Sequence, residues 1–125
     1  MTNANQSTNE SSIDFPELLE RVDDDRELLL ELMSIFKEDF PRHVRELTDV
    51  IAAHDLKKMA IVSHTLKGML ANLAVTRAAS AAAKLEQLAR DGGAEPEIAD
   101  AFHTFQREVH SLLPEMEAYM AEVQR

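Results

Sequence analysis

Apolar residues return in steps of three and four over most of this chain, and no stretch alternates apolar with polar residues as a half-buried strand would. One run is Leu29, Met33, Phe36, Phe40, Val44, Leu47 and Ile51. A second is Ile98, Phe102, Phe105, Val109, Leu112, Met116, Tyr119 and Val123. A period near 3.6 puts such residues on one helix face, so the chain can bury them only by packing helix on helix. With 125 residues it forms one domain large enough for a core without staples. The expected class is all-α: an antiparallel four-helix bundle with a short extra N-terminal helix.

Local signals divide the chain. Residues 1–12 are polar and read as a disordered tail, leaving 13–125 as the folded domain. Asp14 with Glu17, and Ile13 opposite Leu18, open a short helix near 15–22. Asp24 with Glu27 repeats the capping pattern and starts a long helix ending near 53, with a kink expected at Pro41. A third helix covers about 55–72, followed by a bend at Ala74-Val75-Thr76. A fourth, alanine-rich helix covers about 76–91 and stops at Asp91-Gly92-Gly93. Pro96 suits the first turn of a fifth helix running to about 122 and bent at Pro114.

Composition removes several functions. There is no cysteine, so thiol chemistry and disulfides are excluded. The net charge of −10 argues against a nucleic-acid binder and suits a soluble monomer that meets other proteins. The only glycines are Gly68, Gly92 and Gly93, so no glycine-rich loop cradles a nucleotide phosphate. No apolar run reaches membrane-spanning length and the N-terminus lacks a signal-peptide layout, which makes the cytoplasm the expected location. No cofactor is expected. Any reactive group must come from elsewhere.

The candidate for receiving it is Ser63-His64-Thr65-Leu66-Lys67-Gly68, in the middle of the third helix. At about 100° per residue, Lys67 and Gly68 flank His64, while Ala71, Ala60 and Lys57 lie along the same face. Val62, Leu66, Met69 and Leu73 cluster on the opposite side. The imidazole is therefore expected among small residues and two lysines, facing away from the core. The lysines would disfavour its charged form, keep the nucleophilic neutral ring available, and then face the phosphoryl anion. Glycine in mid-helix costs roughly 1 kcal/mol relative to alanine, which room for a group on His64 would justify. Ile61 lies about 60° from His64 and away from the core, a candidate docking contact.

His64-Thr65-Leu66-Lys67-Gly68 followed by Asn72-Leu73 resembles the signature of histidine-containing phosphotransfer (HPt) domains of two-component phosphorelays. Phe36, Pro41 and Leu85-Glu86 fit that family's weaker pattern, so the resemblance spans about 15–120. It implies that His64 is the phospho-acceptor, Lys67 the phosphate-supporting cation and Gly68 the gap beside the ring. Arg90 becomes a candidate second cation. With Lys57, Ala60, Ile61 and Ala71 it also makes the candidate docking surface. The implied partners are receiver domains of response regulators and hybrid histidine kinases, which would bring their own magnesium. Met69, Leu70 and Ala74 depart from the family pattern, and Ala74 stands where a glycine is usual at the bend.

Two rival readings differ in class. A histidine-kinase dimerisation domain also carries a helical histidine, but usually with an acidic residue and then a proline after it; here Thr65 follows, with no proline before Pro96. A binding-only module would sequester receivers without transfer, and His64, Lys67 and Gly68 together argue against it. The other histidines (43, 54, 103 and 110) read as surface residues, and most methionines fall on core stripes. Asp23-Asp24-Asp25 reads as a helix start, and no metal site is expected.

Overall fold

The computed structural model describes residues 13–123. The expected tail at 1–12 lies outside them. The described chain is all-helical, with six helices: α1 Phe15–Arg21, α2 Arg26–Ala52, α3 Leu56–Asn72, α4 Thr76–Arg90, α5 Glu95–Val109 and α6 Leu112–Val123. α3 packs most extensively on α4, α4 also on α5, α2 on α3, and α6 returns to α2. One core joins them, including Leu29, Met33 and Leu47 from α2, Met59, Leu66 and Leu70 from α3, Leu85 from α4, and Phe105 from α5.

Aspartate caps set three of the six helix starts. Asp14 accepts the Glu17 amide at 3.1 Å, and Ile13 and Leu18 are both buried. The α2 cap is Asp25, not Asp24: its carboxylate accepts the Leu28 amide at 3.0 Å. Asp23 and Asp24 both have left-handed backbone, at φ 54° and 63°, so the first extended residue able to cap comes one position later. Asp55 caps α3 through the Lys58 amide. Pro96 stands in the first turn of α5, where a missing N–H costs nothing.

The two interior prolines behave differently. α2 runs on through Pro41. Buried Phe36 and Phe40 on one side and Leu47 on the other face the same core, which holds the helix across the lost hydrogen bond. The single bent helix expected for 96–122 is instead two, separated at His110 and Ser111. Pro114 cannot donate to the carbonyl four residues earlier, that of His110, and its ring crowds it. Pro114 now sits in the first turn of α6, where that defect is harmless. The short α1 is tied at two points. Phe15 stacks on Tyr119 at 4.1 Å, and Arg21 donates to the carbonyls of Ala71 and Asn72 at the end of α3.

The α3–α4 bend has Ala74 at φ 58°, in the left-handed region that favours glycine. An L-residue there costs roughly 1–2 kcal/mol. Glycine offsets roughly 0.5–1 kcal/mol of that relief by its freedom in the unfolded chain. Ala74→Gly should therefore raise stability by up to about 1 kcal/mol, read from urea unfolding midpoints. A lower midpoint would show that packing of the Ala74 methyl against the core outweighs the backbone strain.

Candidate functional site

α3 buries Met59, Val62, Ser63, Leu66 and Leu70, and turns His64 outward with 62% of its side chain exposed. The opposite face expected to be apolar is so: Val62, Leu66 and Leu73 are buried and Met69 packs half-buried against the core. Ser63 is fully buried, and its hydroxyl has no hydrogen-bond partner among the described residues. Gly68 is exposed, with ordinary backbone, and a Cβ built there would meet nothing within 4 Å. The glycine is thus not demanded by packing or by backbone conformation.

The neighbour that the sequence reading missed is Glu86. α4 buries Ala78, Ala81, Ala82 and Ala89 together with Leu85, and packs more extensively on α3 than on any other helix. Across that interface Glu86 reaches α3. One carboxylate oxygen lies 3.1 Å from His64 Nδ1 and also accepts from Arg90 Nε at 3.0 Å and Nη2 at 2.6 Å. The other lies 3.0 Å from Lys67 Nζ. The imidazole therefore does not stand among lysines alone: a carboxylate joins it to Lys67 and Arg90. The sequence held two traces of this, the Leu85-Glu86 pair in the family's weaker pattern and an acidic residue on the alanine face of α4 one turn before an arginine. Nothing in it joined residues 64 and 86.

Burial, the largest single influence on the Glu86 carboxyl, would raise its pKa. Hydrogen bonds from Arg90 and Lys67, with the charges of Lys67 and His64, outweigh it and bring the value from 4.5 down to about 2. An ionised carboxylate has no proton to donate, so the His64 contact requires Nδ1 to be the donor. In the neutral ring that leaves the Nε2 lone pair free.

The folded pKa lies below the unfolded one, so this group contributes stability above 4.5 that is lost as pH falls through about 2. Glu86→Gln should therefore be less stable than the parent at neutral pH, and the gap should close in acid between those two values. Urea midpoints at both ends check this. A gap independent of pH would mean that the carboxylate's charge contributes nothing.

The remaining predicted residues fall around this centre. Ala71 is exposed one turn beyond Lys67, and Ala60 is half-buried one turn before His64. Lys57 is exposed two turns before it, outside the hydrogen bonds of the Glu86 cluster. Ile61 is 60% exposed and so is not covered by a neighbouring helix. α2 adds a feature not anticipated: Leu28, Leu32 and Ile35 are exposed on one face. Leu32 and Ile35 line a mainly apolar groove with Met69, Asn72 and Leu73 of the α3 end. His43 and His54 each face a single carboxylate, Glu46 at 3.8 Å and Glu95 at 3.7 Å. Among the described residues no group of three His, Asp or Glu side chains could hold a metal ion, and no helix is long and apolar enough to cross a membrane.

The family model for the Hpt domain matches residues 31–125, from within α2 to the end of the chain. No curated protein and no solved structure matches.

Proposed function

The chain belongs to the Hpt domain family, which acts in histidine phosphotransfer in two-component systems, and on that premise we propose that it relays a phosphoryl group between receiver-domain aspartates through a phosphohistidine at His64. The observation that carries this reading is an exposed imidazole whose Nδ1 is held by an ionised carboxylate that also binds Lys67 and Arg90, which leaves the Nε2 lone pair unused. On this reading the protein is an antiparallel four-helix bundle, α2 to α5, with α1 and α6 packed on it.

Nε2 attacks the phosphorus of an aspartyl phosphate in line, and the aspartate carboxylate departs with the electron pair of the broken phosphorus–oxygen bond. Lys67, tethered to Glu86 but partly exposed, can turn toward the incoming phosphoryl oxygens. The chain itself needs no metal for this role; the receiver brings the magnesium. Ile61 and the exposed face of Leu28, Leu32 and Ile35 would provide the apolar contacts of a transient interface around His64.

The test is to incubate the protein with a panel of phosphorylated receivers from the same organism. An acid-labile, base-stable label on the chain is the expected result. Stable complexes with receivers but no label would make it the binding-only module instead. Neither label nor complex with any receiver would sink both readings.

A further inference from the structure

We propose that a cleft formed by α1, α3 and α4 binds a phosphate group, free or on a small organic ester, and shares Lys67 with the His64 site. The cleft has a volume of about 360 Å³ and is lined by two cations, Arg21 and Lys67, and two hydroxyls, Thr76 and Ser80. Although the chain carries a net charge of −10, no carboxylate lines this cleft. The rest of its lining is alanine, from α3, α4 and the bend between them, and side chains this short leave the space open. Arg21 precedes the residues that the family model matches, so the cleft depends on a helix outside them.

The donors come from three helices and are only partly used. Arg21 donates Nε to Glu17 at 3.0 Å and Nη1 to the carbonyls of Ala71 and Asn72, which holds the guanidinium at the end of α3 with Nη2 unused. Lys67 bonds Glu86 with one N–H and keeps the others. The hydroxyls of Thr76 and Ser80, one turn apart on α4, have no partner among the described residues. α4 also starts at Val75 without a side-chain cap, so its first turn adds to the positive end of the cleft. Glu17 and Glu86, the carboxylates that partner the two cations, stand outside the lining. A guanidinium, an ammonium and two hydroxyls suit the several oxygens and near-double charge of a phosphate better than a carboxylate. Phosphate in the cleft draws Lys67 away from Glu86. The consequence for transfer rests on the relay reading: the bound phosphate competes with the phosphoryl group on His64 for one ammonium. The binding itself needs no receiver.

The experiment titrates the full chain with inorganic phosphate, glycerol phosphate or acetate at matched ionic strength and follows the backbone amides by NMR. The amides of Ala71, Thr76 and Ser80 should shift saturably at millimolar phosphate, and acetate should bind several-fold more weakly. Tighter binding of glycerol phosphate assigns the cleft to organic esters, and tighter binding of inorganic phosphate assigns it to the free ion. Ser80 is exposed, so Ser80→Glu and Ser80→Gln leave the core untouched. Ser80→Glu should bind phosphate at least about tenfold more weakly than its neutral isostere, because its carboxylate faces the same cations. Glu86→Gln, with its fold checked by the amide spectrum, should bind about threefold more tightly, because Lys67 is released. Shifts that do not saturate, or that are as large around Lys57 and Lys58, overturn the proposal. So do acetate binding as tight as phosphate, equal binding by the two Ser80 variants, and binding no tighter in folded Glu86→Gln. Failure of the relay reads differently: no receiver labels the chain, and phosphate still binds.

Discussion

Replacing His64 by glutamine should reduce phosphoryl uptake from a phosphorylated receiver to background while leaving the fold intact. A glutamine amide is no nucleophile toward phosphorus, and among the described residues no other histidine sits in an equivalent setting. His103 and His110 are exposed without a charged partner of this kind, and His43 and His54 each have only one distant carboxylate. The variant should fold because the His64 side chain is 62% exposed and contributes little to the core. A glutamine amide can still donate to Glu86, whose bonds to Lys67 and Arg90 remain. The expected change in stability is within about 1 kcal/mol. Radiolabel or phosphate-affinity gel mobility reads the uptake, and thermal unfolding reads the fold. Acid-labile label persisting on folded His64→Gln would show that another residue is the acceptor.

The second large effect is expected at Gly68, where stability and activity should part company. Gly68→Ala should stabilise the protein by up to roughly 1 kcal/mol, since alanine is the better helix former and its Cβ meets open space. Gly68→Gln should keep most of that gain, because glutamine is also a good helix former. Its side chain, however, rises one turn from His64 on the same face, at a Cβ separation of about 5–6 Å. There it crowds the approach to Nε2 and the docking of a receiver. Uptake should fall by at least about tenfold, equivalent to roughly 1.4 kcal/mol on the transfer barrier, in a protein that melts at the same or a higher temperature. A Gly68→Gln protein that unfolds would instead make this residue a packing contact. One that accepts phosphate at the parent rate would remove the access argument for glycine here.

Helix content and the exposed histidine were legible in the chain because both are local. A 3.6 period shows in any window of two turns, and Asp14 and Asp55 cap the amides three residues on. His64, Lys67 and Gly68 fall within five residues of one helix, so a wheel alone groups them. Features that depend on backbone handedness or on competition between local and tertiary forces were read less well. Asp24 and Asp25 are equally good caps by composition, and only the left-handed backbone at Asp23 and Asp24 selects the second. Pro41 and Pro114 carry the same local defect, yet one lies within a continuous helix and the other follows a break, according to the packing on either side.

The sequence by itself determined an all-helical domain with one histidine presented on the polar face of its helix. Only the tertiary structure decided what that histidine touches. Glu86 is 22 residues away from it, and no periodicity on either helix relates the two. Their meeting depends on the packing of α4 against α3, more extensive than on any other helix. It depends also on the rotation of each helix about its axis, which is set by burying Leu66 and Leu85 in a shared core. A charge pattern along one helix is written in the chain, whereas a charge cluster between two helices exists only once their buried faces have met.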